Sequence, residues 1–73
     1  MQNDINIAMR VNLEIMQRRL AQALSHVVDA LDYIREGERN AAIGSMPGTD
    51  ELLQEALALF TATRALHRAG GRS

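Results

Sequence analysis

Residues 13–36, LEIMQRRLAQALSHVVDALDYIRE, decide how the chain is read. Large apolar side chains recur at Leu13, Met16, Leu20, Leu24, Val27, Leu31 and Ile34, in steps of three and four. That is the period of one helix face. Arg18, Gln22, Ser25, Asp29, Asp32 and Glu36 collect on the other side, so the stretch predicts a long amphipathic helix with the Leu13-to-Ile34 stripe as its buried face. Gly37 is the expected stop.

Working outward, Gly44-Ser45-Met46-Pro47-Gly48 is the only clear cluster of helix breakers and reads as a turn. Thr49 can cap a second helix, with Asp50 and Glu51 in its first turn facing the positive end of the dipole. Leu52, Leu53, Ala56, Leu57, Leu59, Phe60, Thr63 and Leu66 fill a broad face of that helix, which implies burial on more than one front. Arg64, His67 and Arg68 suit its C-terminal end, and Gly70-Gly71 supply a stop. The expectation is a single all-α domain, an antiparallel two-helix hairpin. Its elements are a first helix over about 4–36, a turn over about 37–49, a shorter second helix over about 50–69 and a loose tail over 70–73.

Two helices of unequal length leave a remainder. Folded straight back from the turn at ~1.5 Å per residue, the second helix would reach only the level of Met16 to Leu20. The first helix would then project a bare apolar segment with Ile5, Ile7, Met9, Val11, Leu13, Ile15 and Met16 as candidate contact residues. Monomers seldom expose such a patch, so a second copy is expected to cover it and complete a four-helix bundle.

Composition points the same way. A 73-residue chain with no cysteine has neither disulfides nor thiolate metal sites to supplement a thin core, which leaves association as the remaining device. Aromatics are limited to Tyr33 and Phe60, a composition suited to helix packing. The longest uninterrupted apolar run, Ala56 to Phe60, is far short of the ~20 residues of a membrane helix, and no basic-then-apolar leader opens the chain, so a soluble, cytoplasmic protein is expected. The net charge of −1 gives no general pull toward nucleic acid. It does hide an asymmetry: Asp29 to Glu55 holds seven acids against two arginines, −5, and the remainder six arginines against two acids, +4.

The N-terminal segment admits a second period. Ile5, Ile7, Met9, Val11, Leu13 and Ile15 alternate with Asn6, Arg10, Asn12 and Glu14, as in a strand. A strand over about 4–11 followed by two helices resembles, in the order of its elements, the ribbon-helix-helix DNA-binding family. The resemblance implies that paired strands would carry Asn6, Ala8 and Arg10 into the major groove. The same residues also extend the helix, with Ile5, Met9, Leu13 and Met16 at steps of four, four and three.

Arg18, Arg19, Arg64 and Arg68 are candidate contacts for an anion or an acidic partner, because the guanidinium fork suits phosphate and carboxylate. Their bland reading is a solvated surface and a helix C-terminus. No catalytic set is expected: there is no thiol nucleophile and no glycine-rich phosphate loop. His26, Asp29 and Asp32 share a face at steps of three, but they read better as solvated residues than as metal ligands. No cofactor is expected. The reading is a non-enzymatic regulatory or adaptor protein that binds, or blocks, another protein as a homodimer; small antagonists of phages and mobile elements have this character. The alternatives are a ribbon-type transcriptional regulator and an oligomer that sequesters a nucleotide or other anion.

Overall fold

A computed structural model describes residues 2–71. The chain is all-α: α1 (Gln2–Arg35), α2 (Arg39–Gly44) and α3 (Thr49–Gly71), with α1 and α3 packed antiparallel. Arg72 and Ser73, part of the expected loose tail, lie outside the described residues.

Three local signals make the connection. Gly37 takes φ +79°, and Glu38 N–H donates to Tyr33 O at 2.8 Å while Gly37 N–H donates to Ile34 O at 3.0 Å. This six-to-one and five-to-two pair satisfies the last carbonyls of α1 and closes it with a left-handed cap. The chain then re-enters a helix at once: α2 buries Ala42 and ends where Ser45 N–H and Oγ–H donate to Ala41 O and Ala42 O. Met46-Pro47-Gly48-Thr49 forms a tight turn with Thr49 N–H donating to Met46 O at 3.0 Å. Proline presets the second position and Gly48, at φ +88°, fills the third, where a positive φ is required.

The α2 segment overturns the expected overhang. Because α2 packs back along the last turns of α1, α3 starts beside His26 instead of beside Glu36. It also runs on through Gly70 and Gly71, which do not act as a stop. A Cβ placed on Gly70 would lie 3.2 Å from Ile5 Cδ1, so the end of α3 stands level with the start of α1. Nothing projects. The apolar residues between Ile5 and Ile15 flank a helix pair along their whole length, and the strand alternative is absent: Asp4 to Val11 belong to α1.

The seam between the long helices follows from exposure. On α1 Ile5, Met9, Asn12, Met16, Arg19, Ala23, His26 and Ala30 form the recessed seam series, with Ala8 and Ile15 also recessed beside it, and on α3 the series is Thr49, Leu52, Ala56, Leu59, Thr63, Leu66 and Gly70. Both series alternate steps of three and four without a break, the seven-residue repeat of a coiled coil. Ile5 beside Gly70 and His26 beside Thr49 fix the register. Stepping along it opposes small to large, Ala23 to Leu52 and Ala56 to Arg19, while Met9 meets Leu66 and Met16 meets Leu59.

The core that results contains only small residues. Ala23, Ala30, Ala42, Ala56, Thr49 and Thr63 are buried, and no described residue with a larger side chain is. The Leu13-to-Ile34 stripe, read from sequence as the buried face, lies outside the seam except for half-buried Met16. The molecule is a rod of 56 × 14 × 14 Å with a radius of gyration of 16.8 Å, against ~11 Å for a compact domain of this length.

Candidate interaction surface

Two polar links cross between α1 and α3. His26 Nδ1 and Thr49 Oγ1 share a hydrogen bond of 2.7 Å in the seam. The Thr49 hydroxyl is therefore occupied by α1 at the point where sequence assigned it to capping, and His26 is turned away from the solvated face it was expected to share with Asp29 and Asp32. Seven residues toward the N-terminus of α1, Arg19 Nε approaches Glu55 Oε2 to 2.7 Å, with both side chains partly exposed. Such a bridge contributes little energy but marks which flank of the hairpin is polar. Thr49→Val keeps the shape and β-branching while removing the hydroxyl. It should lower stability by about 1 kcal/mol, read as a lower denaturation midpoint at unchanged slope.

The other flank is identified by two shallow depressions across the seam. One is lined by Ile5, Asn6, Met9, His67, Gly70 and Gly71, the other by Met9, Thr63, Arg64, His67 and Arg68. Asn6 and His67 thus face each other on one side. Each begins a seven-residue series. From Asn6 the series continues through Leu13, Leu20, Val27 and Ile34; back from His67 it runs through Phe60 and Leu53. With the seam as positions a and d, these are e positions, and the adjoining b positions hold Leu24 and Leu31 on α1 and Leu57 and Arg64 on α3. In an antiparallel pair the two e rows lie on the same side of the seam.

One flank therefore carries Leu13, Leu20, Leu24, Val27, Leu31 and Ile34 from α1 and Leu53, Leu57 and Phe60 from α3. All nine are exposed, Leu24 at 62% and Leu57 at 63%. The flank extends for about 30 Å at 1.5 Å per residue. Phe60 holds the Arg64 guanidinium over its ring at 5.7 Å, which ties the basic end to the edge of the apolar surface.

No family model, curated protein or solved structure matches this chain. Its site is therefore judged on geometry alone.

Of the terminal residues named from sequence, the structure divides the set. Ile5, Met9, Ile15 and Met16 are half-buried along or beside the seam, and Leu13 begins the apolar flank. Ile7 and Val11 are exposed, but their heptad positions, f and c, turn them to the outer face. The four arginines are not one cluster. Arg19 is engaged by Glu55, Arg18 points outward at a c position, and Arg64 and Arg68 lie two to three helical turns farther toward the open end, beside His67. Arg10, half-paired with Glu14 at 3.6 Å, belongs to that end as well.

Leu20, Leu24, Val27, Leu31 and Ile34 are the flank residues that sequence reasoning gave to the hairpin's own buried face, whereas Leu53, Leu57 and Phe60 were already read as part of a face buried on more than one front. Their signal was the breadth of the apolar face on the second helix. Among the described residues no helix is long and apolar enough to cross a membrane.

Proposed function

We propose that this protein is a non-enzymatic binding module that works as a homodimer, two hairpins closing into a four-helix bundle that regulates or bridges another macromolecule. One observation carries the reading: the hairpin buries no large side chain, while nine large apolar residues stand exposed on a single flank. A monomer of this form would leave those nine in water, with Ile5, Met9, Met16, Leu52, Leu59 and Leu66 only half-buried along the seam. Hairpins joined through that flank reverse the arrangement.

The area agrees. The accessible surface is 5612 Å² for a chain of 8.1 kDa, against roughly 4,500 Å² for a compact monomer of that mass. The excess of roughly 1,100 Å² compares with the ~800 Å² that each partner gives up in a standard specific interface. The basic end, with Arg10, Arg64, His67 and Arg68, adjoins the apolar rows and its side chains are exposed in the single hairpin, which suits it to an acidic surface. The ribbon alternative loses its reading element, since the residues that would form the strand are helical.

Sedimentation equilibrium of the wild-type chain at micromolar concentration should return twice the monomer mass of 8.1 kDa. A well-folded, helical monomer under those conditions would remove the basis of the proposal.

A further inference from the structure

The geometry points to one particular dimer: the second copy lies end for end on the apolar flank, with a two-fold axis perpendicular to the rod at about the level of Leu24. This rests on the homodimer reading and specifies its symmetry. Two face-to-face arrangements satisfy two-fold symmetry. In one the axis runs along the rod, so that both turns lie at the same end and α1 sits over α3 of the second copy. In the other the axis crosses the rod, so that the turns lie at opposite ends and α1 sits over α1 of the second copy.

The apolar rows discriminate between them. On α1 they run from Leu13 to Ile34, whereas on α3 they occupy only Leu53 to Phe60, which the register places opposite α1 residues 15 to 22. With the axis along the rod, Leu24, Val27, Leu31 and Ile34 would face the connecting segment of the second copy, where Glu38, Asp50 and Glu51 gather. With the axis across it, reversal about Leu24 sets Leu24 to Ile34 of each copy against Leu13 to Leu24 of the other, so all six α1 residues are covered and only Leu53, Leu57 and Phe60, carried to the level of α1 residues 26 to 33, face the connecting segment, three residues against four.

Charge discriminates independently. Residues 29–55, at −5, surround the turn end and approach mid-rod only at Glu55, and the remaining chain, at +4, includes the open end with Arg10, Arg64 and Arg68. An axis along the rod superposes acid on acid and base on base. The crossed axis sets each basic end over the acidic end of the other copy. Opposed dipoles of this kind select orientation.

The chain contains no cysteine, so single thiols can be placed at will. Ile7, Ala21 and Arg35 occupy the same heptad position at intervals of 14 residues, all exposed and turned away from the flank. Spin labels on I7C, A21C and R35C, measured by pulsed dipolar spectroscopy in each homodimer, should give the shortest distance for A21C. Axial separations should be about 9 Å for A21C, 33 Å for R35C and 51 Å for I7C, added to a common lateral offset. Equal distances at all three sites would overturn the crossed axis while leaving the homodimer standing. Absence of dipolar coupling at all three would overturn both.

Discussion

If the wild type is the dimer proposed above, a variant carrying Leu24→Asp and Leu57→Asp is expected to sediment as a monomer at the same micromolar concentrations. Both side chains are more than half exposed in the single hairpin, so neither change removes much from the α1–α3 seam. In the proposed bundle Leu24→Asp sets two carboxylates close to the axis inside the apolar layer, and Leu57→Asp sets one from each copy against the acidic turn end of the other. An unpaired charge in such a site costs several kcal/mol, and each lost leucine forfeits roughly 1 kcal/mol or more of burial. A rise in the dissociation constant of at least about a thousandfold follows, since each 1.4 kcal/mol is a factor of ten.

The control is Ile7→Asp with Val11→Asp, two equally apolar exposed residues on the outer face. It should leave the mass unchanged. If it also dissociates the dimer, or if L24D/L57D does not, the flank is not the interface. Met9→Asp does not separate these readings, because Met9 lines the seam and its loss would damage the hairpin itself.

The second large effect concerns the seam. Ala23→Leu should destabilise the protein by about 2 kcal/mol, because Ala23 is 4% exposed and the register sets it against Leu52. For a domain of this size that is a fall in melting temperature of roughly 10 °C at fixed protein concentration. Leu52→Ala alone should lose a similar amount by leaving a void. Combined, A23L/L52A exchanges large for small across the same contact, and most of the loss should be recovered. A double-mutant cycle in thermal or denaturant unfolding measures this. Strictly additive losses would show that the two positions do not oppose each other and that the register is wrong.

The helices were legible because their cause is local. The steps of three and four from Leu13 to Ile34, the glycine at 37, the Pro47-Gly48 turn and the acids at 50 and 51 each act within a few residues. Local signals did not suffice for the connecting segment. Arg39 to Gly44 is too short to show a period, and without α2 the turn was expected to lie at the end of α1. That single omission moved α3 by about ten residues and created an overhang that the structure does not have.

The choice between faces was not legible either. α1 carries two stripes of coiled-coil period: Ile5, Met9, Asn12, Met16, Arg19, Ala23, His26 and Ala30, and the richer one from Leu13 to Ile34. Apolarity alone ranks the second first. The hairpin uses the first, because its alanines and polar residues fit Leu52, Ala56, Thr63 and Gly70 at close approach, a match that exists only once α3 is set in register.

Sequence by itself determined that this chain is helical, where its long helices run, and that it carries more apolar surface than one hairpin can cover, since periodicity and composition depend on the chain alone. Tertiary structure decided which stripe faces inward, and so which nine large apolar residues stand exposed together on one flank. Burial belongs to pairs of residues far apart in the chain, and the contacts of Ile5 with Gly70 and of His26 with Thr49 set that pairing.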